Sequence, residues 1–280
     1  MKILVVGAQG MLGTDLVKVL SSTKTVVGTD IKDFDITRQE GTIEAVSEIR
    51  PDFLVNVAAF TQVDQCESEE KKAMAVNGEG VRNLALACLK IGAKMMLVST
   101  DYIFDGRKRE PYQEEDTPNP LSVYGRSKLL GEHYLQERME SFIIVRTAWL
   151  YGANGPNFVK TIVRLAQERE ELKVVDDQCG TPTYSLHLAR AINALIETGV
   201  TGIFHVTNRG FCTWYEFACE IVRLKRLNVN IRSATTDEIG RPAKRPPLSV
   251  LDCSKFEKTT TLVLPHWKDA VKEFIEQEGV

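Results

Sequence analysis

Three glycines at a fixed spacing, directly after the first apolar run, constrain the fold of this chain more than any other feature. Residues 3–6 are continuously apolar, and Gly-Ala-Gln-Gly-Met-Leu-Gly follows at residues 7–13. Such a run is typical of a parallel strand that is covered on both faces. Gly7, Gly10 and Gly13 permit a tight turn, close approach of the backbone to a phosphate, and close packing of helix on strand. Since a helix N-terminus binds phosphates through its free N–H groups and its dipole, the segment predicts a dinucleotide-binding loop.

Strand-like and helix-like segments alternate after this loop. Apolar runs predict strands at residues 2–6, 25–29, 53–57, 94–99 and 142–146. Helical periodicity predicts helices at residues 11–21, 38–50 and 69–91, and Gly92 is suited to end the last of them. This alternation is typical of parallel strands joined by crossover helices. We therefore predict an α/β fold with a doubly wound parallel sheet of the Rossmann type.

Loop signals become denser after residue 150. Gly-Ala-Asn-Gly-Pro at 152–156, Gly-Thr-Pro-Thr at 180–183 and Arg-Pro-Pro at 245–247 separate shorter elements. We expect residues 1–150 to form a dinucleotide-binding domain and residues 151–280 a smaller C-terminal substrate domain. Segments around 184–207 are candidates for returning to the first domain.

Composition argues against several classes of function. The net charge of −3 comes from interspersed acids and bases, so no basic surface for nucleic acid is expected. No apolar run approaches the roughly 20 residues that cross a membrane, and a cytoplasmic protein is expected. The six cysteines form no CxxC pair and the four histidines no HExxH motif. These patterns predict reduced thiols and no metal site.

An aspartate ends the second predicted strand. The Asp30 carboxylate is placed to accept hydrogen bonds from the hydroxyl groups of an adenine ribose and to repel a 2′-phosphate, which favours NADH over NADPH. The alternative is an ordinary turn-initiating aspartate, which leaves NADPH or dual use open. Asp35, a few residues later, fits equally well as a helix cap or as a contact to the adenine.

Tyr124 and Lys128 have the YxxxK spacing. Residues four apart share one face of a helix, so the Lys128 ammonium is expected near the Tyr124 phenol, where it would lower the pKa of that phenol. Thr100 follows the fourth predicted strand, at the end where open α/β sheets bind ligands. The three residues together predict a proton-donating site for carbonyl reduction, whereas a structural role is the default interpretation of each of them taken alone.

Longer strings then identify a family. The chain has NVAAFTQVD at 56–64, STDYIFDG at 99–106, YGRSK at 124–128, RTAWLYG at 146–152 and DQCGTPT at 177–183. Together with the glycine loop, these resemble the dTDP-4-dehydrorhamnose reductase family of the extended short-chain dehydrogenase/reductase superfamily, over essentially the whole chain. The resemblance implies reduction of the 4-keto group of dTDP-4-dehydro-L-rhamnose by NADH or NADPH, in dTDP-rhamnose and cell-surface polysaccharide biosynthesis.

The resemblance also implies roles for individual residues. The catalytic set would be Thr100, Tyr124 and Lys128. With the positions argued above, the expected cofactor contacts are Gly7, Gly10, Met11, Leu12, Gly13, Asp30, Asp35, Ile36, Ala58, Ala59, Phe60, Thr61, Tyr124 and Lys128. The expected substrate contacts are Val63, Thr100, Asp101, Trp149 and Arg245. A guanidinium suits a nucleotide phosphate, although Arg245 is equally consistent with a solvated turn.

Some members of the family form a dimer through a magnesium-binding carboxylate cluster. Asp15 matches one ligand position, but residues 185–189 supply no acidic partner, so magnesium is not predicted and a homodimer is left open. Two other functions also stay open on this scaffold. One is a sugar-nucleotide epimerase or dehydratase that recycles its cofactor, and the other is a non-catalytic dinucleotide-binding regulatory subunit.

Overall fold

A parallel sheet of six strands forms the centre of the protein in the computed structural model, which describes residues 1–278. The strands of the described chain are β1 (Lys2–Val6), β2 (Thr25–Thr29), β3 (Phe53–Asn56), β4 (Lys94–Thr100), β5 (Phe142–Thr147), β6 (Leu150–Tyr151), β7 (Glu171–Val175), β8 (Cys179–Gly180), β9 (Thr183–Tyr184), β10 (Gly202–His205), β11 (Cys212–Thr213) and β12 (Asn230–Ala234). The helices are α1 (Met11–Leu20), α2 (Gln39–Ile49), α3 (Val63–Ser68), α4 (Glu70–Met74), α5 (Gly80–Ile91), α6 (Val123–Arg138), α7 (Phe158–Glu168), α8 (Ser185–Thr198), α9 (Trp214–Lys225), α10 (Thr236–Ile239), α11 (Ser254–Thr260) and α12 (Trp267–Glu278).

The strand order in the central sheet is β10-β5-β4-β3-β1-β2, with every neighbouring pair parallel. The chain moves from β1 to β2 on one side and then returns to β3 on the other side of β1. This change of direction opens a crevice at the carboxyl ends of β1 and β3, where open α/β sheets bind ligands. The predicted doubly wound sheet is confirmed.

Both faces of the sheet are covered by helices. Ile3 and Val5 pack with apolar residues of α1 and α8 on one face, while Leu4 and Val6 pack with α2, α5 and α6 on the other. Alternate residues of a strand point to opposite faces, so a strand buried on both sides must be apolar throughout. This explains why the first strand reads as an uninterrupted apolar run.

The helix predicted over residues 69–91 runs without a break from Glu70 to Ile91, but it is not α-helical throughout. The segment contains α4, a π-helical turn at Ala75–Glu79, and α5, which ends at Gly92 in the left-handed region as predicted (φ 73°). Within the π turn, the Asn77 side chain bonds the backbone of a neighbouring loop. Periodicity does not detect such a turn because helical spacing resumes after it.

The second half of the chain builds its own apolar cluster and also contributes to the main sheet. Tyr151, Tyr184, Phe217, Trp267 and Phe274 belong to a core formed mainly by α7, α9 and α12. In contrast, α8 packs on α1, and β10 extends the central sheet beside β5. The segments around 184–207 thus return to the sheet, while the functional division at residue 150 stays a prediction. No helix among residues 1–278 combines the length and apolar character needed to cross a membrane.

Candidate active site

Two cavities, of about 430 and 440 Å³, meet at the glycine loop. Gly7, Gly10, Val57 and Ala59 line both of them. One cavity extends toward the ends of β4 and β5, and the other toward the end of β2. Together they form one elongated cleft over the crevice between β1 and β3, a shape suited to an extended ligand.

The glycine loop is packed too closely to accept side chains. A Cβ atom on Gly7, whose φ is +87°, would lie 2.6 Å from the Ala58 backbone nitrogen. A Cβ on Gly13 would lie 2.1 Å from the carbonyl oxygen of Gly7 and 2.7 Å from Ala8 Cα. The backbone of the first turn of α1 thus lies against the end of β1, and Gly10, Met11, Leu12 and Gly13 line the cleft, where the free N–H groups of a helix start can bind phosphate. The loop therefore fits the pyrophosphate of a dinucleotide.

Two aspartates lie at the other end of the cleft. Asp30 Oδ2 accepts a hydrogen bond from the Gln9 N–H at 3.1 Å, which ties the end of β2 to the glycine loop. Asp35 accepts from the backbone and hydroxyl of Thr37, and these bonds lower the pKa of its carboxyl group. Asp30, Asp35 and Ile36 all line this cavity. Both carboxylates thus border the end where an adenosine would lie.

Asn77, which the sequence argument missed, holds the loop after β3. Its Oδ1 accepts from the Phe60 N–H at 2.8 Å, and its Nδ2 donates to the Phe60 carbonyl at 3.0 Å and to Ser127 Oγ at 2.9 Å. One buried amide therefore joins the loop at residues 58–61 to helix α6. An asparagine inside an apolar helical pattern was the only available signal.

The predicted catalytic residues converge on the cavity beside β4. Tyr124 and Lys128 lie one turn apart on α6, which begins with Ser122 Oγ accepting from the Gly125 N–H at 3.1 Å. Thr100 lies at the end of β4 and donates to Asp101 Oδ1 at 3.0 Å. All three line the same cavity as Met11, Leu12 and Thr61. The structure thus brings a hydroxyl, a phenol and an ammonium together at one end of the dinucleotide cleft.

The pKa of Tyr124 is raised, and not lowered as the nearby Lys128 led us to expect. Burial raises the pKa of Tyr124 well above its usual value of about 10, and the hydrogen bond with Thr100 opposes this rise only in part. The Lys128 ammonium donates instead to the Val98 carbonyl at 2.8 Å, and burial lowers its own pKa to about 8. Tyr124 is therefore a neutral phenol at physiological pH, available as a proton donor.

Asp101 and Trp149 border the same cavity. Burial raises the pKa of Asp101 to about 7 against hydrogen bonds from Ser249 and Thr100. Trp149 has a left-handed backbone (φ 45°), and its ring stacks on Trp214 with centroids 3.5 Å apart. A bulky residue rarely adopts this conformation, so the stack holds a strained residue against the cleft.

Three predicted contacts, Phe60, Val63 and Arg245, do not line either cavity. The Lys72 ammonium lies over the Phe60 ring, with Nζ 4.5 Å from the ring centroid. Arg245 forms a bidentate ion pair with Asp64, in which Nη1–Oδ1 and Nη2–Oδ2 are both 2.9 Å apart. This pair fixes the loop at residues 241–245 on α3. Arg245 therefore has a carboxylate partner in this structure, which neither the expected phosphate contact nor the alternative of a solvated turn included.

Asp15 is buried between α1 and α8. It is hydrogen-bonded to the Ser185 hydroxyl, and burial raises the pKa of its carboxyl group. Within residues 1–278, no three histidine, cysteine, aspartate or glutamate side chains converge as metal ligands would. Asp15 thus contributes to the packing of two helices next to the glycine loop.

Comparisons with known proteins agree with this arrangement. The profile of the RmlD substrate binding domain family matches residues 1–280. The spore coat polysaccharide biosynthesis protein SpsK of Bacillus subtilis is 41% identical, over 99% of this chain and 98% of its own length. A dTDP-4-dehydrorhamnose reductase of Streptomyces griseus is 43% identical, over 96% and 91%. The crystal structure of a Bacillus anthracis dTDP-4-dehydrorhamnose reductase in complex with NADP superposes with a TM-score of 0.96, at 40% identity over 99% of each chain.

Proposed function

The chain belongs to the RmlD substrate binding domain family, and we propose from this that it is an NAD(P)H-dependent reductase of dTDP-4-dehydro-L-rhamnose. It reduces the 4-keto group to give dTDP-L-rhamnose, a precursor of cell-surface polysaccharide. The observation that carries the proposal is the convergence of Thr100, Tyr124 and Lys128 at one end of a cleft whose other end is a glycine-rich, helix-capped phosphate site. The reductase of Streptomyces griseus at 43% identity supports the choice of substrate.

Each residue has a distinct part in the reaction. A bound reduced nicotinamide would supply a hydride to the carbonyl carbon. Tyr124 gives its phenolic proton to the carbonyl oxygen as that oxygen becomes an alkoxide, and it regains a proton from water afterwards. Lys128, one helical turn away, stabilises the phenolate left behind. Thr100 donates to Asp101 in this structure, and it would turn its hydroxyl to the substrate oxygen to hold the carbonyl in place.

The remaining contacts follow the shape of the cleft. The glycine loop with Met11 and Leu12 binds the pyrophosphate, Ala59 and Thr61 border the nicotinamide half, and Ala58 borders the adenosine half. Asp101 and Trp149 contact the sugar. Val63 and Arg245 line neither cavity, and Arg245 is paired with Asp64, so their role is the least direct. A homodimer and a cytoplasmic location stay predictions.

NADH is the preferred cofactor in this proposal because the Asp30 carboxylate borders the adenosine end of the cleft. Replacing Asp30 with asparagine keeps the shape of the side chain and removes its charge. We expect the ratio of kcat/KM with NADH to kcat/KM with NADPH to fall by about tenfold, equivalent to about 1.4 kcal/mol. Asp237→Asn, which removes a charge on α10 away from both cavities, should leave the ratio unchanged. An unchanged ratio in Asp30→Asn would exclude Asp30 as the determinant.

The test of the function itself is a coupled assay. Purified protein is mixed with dTDP-4-dehydro-6-deoxy-D-glucose, a matching 3,5-epimerase, and NADH or NADPH, and absorbance at the nicotinamide band is followed. A reductase consumes one cofactor for each sugar reduced. An epimerase or dehydratase on this scaffold converts its sugar without net loss of reduced cofactor, and a regulatory subunit converts none.

A further inference from the structure

A buried ion pair lies directly behind Lys128, and the reaction described above does not use it. Glu132, one turn after Lys128 on α6, is fully buried, and Arg146 on β5 is 2% exposed. Arg146 Nη2 donates to Glu132 Oε2 at 2.7 Å, and its Nε donates to Oε1 at 3.1 Å. The Ser99 hydroxyl donates to the same carboxylate. Burying such a pair costs desolvation energy that the attraction between the charges barely offsets, so stability alone does not explain it.

The pair and Lys128 attach helix α6 to the sheet at consecutive positions. Lys128 donates to the carbonyl of Val98, and Glu132 accepts from the side chain of the next residue, Ser99. Ser99 lies opposite Arg146 in the β4–β5 register, and Thr100 follows it. Two residues one helical turn apart on α6 are thus fixed to two adjacent residues of β4. The position of Tyr124 beside Thr100 depends on this attachment.

We propose that Glu132 is a positioning residue for the reduction, which holds α6 in register with β4 and keeps Lys128 in its protonated form. Arg146 is the counter-charge that allows this carboxylate to stay ionised in the core. The inference rests on the proposed function, because the protonated lysine matters only if Tyr124 becomes a phenolate during the reaction.

The charges around Lys128 support this role. Burial lowers the pKa of Lys128, and Glu132 is the charged group that opposes the decrease. Burial and the neighbouring Arg146 lower the pKa of His205 to about 3, so this histidine is uncharged at neutral pH. Other titratable groups from elements packed against α6 include Asp101 and Tyr102 after β4, Glu114 in the following loop, Cys66 and Glu67 on α3, Glu70 on α4 and Glu79 in the π turn. Burial raises the pKa of Glu114 and Cys66, which disfavours their charged forms. Asp101, with a pKa of about 7, is ionised near pH 8, but Glu132 is the charged group that opposes the decrease in the Lys128 pKa.

The experiment is the pH dependence of kcat in Glu132→Gln. In the wild-type protein kcat should fall as the pH rises through about 8, where Lys128 loses its proton. Removing the Glu132 charge should move this fall to lower pH by about one to two units. A merely structural role would lower kcat or thermal stability at every pH without moving the midpoint.

Arg146→Lys is the matched control. This variant keeps both charges and loses the bidentate contact with Glu132. It should therefore lower the melting temperature and leave the midpoint of the pH dependence of kcat unchanged. Arg146→Gln removes the counter-charge that keeps Glu132 ionised, so Glu132 should take up a proton and the midpoint should again move to lower pH. This variant replaces Glu132→Gln in the test if Glu132→Gln does not fold. Wild-type reduction with unmoved midpoints in Glu132→Gln and Arg146→Gln would overturn the inference. Absence of reduction by the wild-type protein would instead overturn the proposed function.

Discussion

Replacing Tyr124 with phenylalanine should lower turnover by about 10²–10⁴-fold while the affinity for the cofactor changes little. The ring of Tyr124 packs edge-on against Tyr102, with centroids 6.0 Å apart, and it borders the cluster around Cys66. Phenylalanine retains these contacts and loses only the hydroxyl. The change therefore removes the proton donor and leaves the glycine loop intact. Steady-state kinetics with saturating cofactor and a fluorescence titration of NADH measure the two effects separately.

Tyr134→Phe provides the control on the same helix. The Tyr134 hydroxyl donates to Glu79 at 2.7 Å, outside both cavities, so its loss should leave turnover close to that of the wild-type protein. Comparable turnover in Tyr124→Phe and the wild-type protein would exclude Tyr124 as the acid. A loss of cofactor affinity equal to the loss of turnover would indicate a binding role instead.

Alanine at Gly13 should weaken dinucleotide binding by about 10- to 100-fold, because overpacking of this kind costs about 1–3 kcal/mol. The added methyl group would lie 2.1 Å from the Gly7 carbonyl oxygen and 2.7 Å from Ala8 Cα, both backbone atoms that cannot rotate away. The loop must shift, and the free N–H groups of α1 move with it. Isothermal titration with NADH and with NADPH measures the loss.

Gly41→Ala is the matched substitution for this experiment. Gly41 lies on α2, and a Cβ atom there meets nothing within 4 Å. Alanine is the better helix former by up to about 1 kcal/mol, so the protein should become slightly more stable and bind the dinucleotide as before. Wild-type affinity in Gly13→Ala would contradict the role of the glycine loop.

The sequence was sufficient for the fold because its signals are local. Gly7 follows β1 directly, and Gly13 must lack a side chain because Gly7 and Ala8, a few residues earlier, lie against it. The apolar strands could be predicted from their own composition alone. Strand ends differed by one residue where pairing decided them, as at Thr100, which extends β4 by pairing with Thr147 of β5.

The parts that the sequence did not predict depend on contacts between distant residues. The YxxxK spacing placed Tyr124 and Lys128 on one helix face, but it could not reveal that burial raises the pKa of the phenol or that Val98 takes the lysine's hydrogen bond. The sequence shows no partner for Arg245, whereas in the structure it pairs with Asp64, 181 residues earlier. Local patterns carry no information about such partners.

Transfer of deuterium from the cofactor tests the central claim most directly. The protein is incubated with dTDP-4-dehydro-L-rhamnose and NADH or NADPH that carries deuterium at both C4 positions, and the product is examined by NMR. The account predicts dTDP-L-rhamnose with one deuterium at sugar C4 and one oxidised cofactor for each sugar. A converted sugar with hydrogen at C4, or a cofactor that ends the reaction reduced, would contradict it.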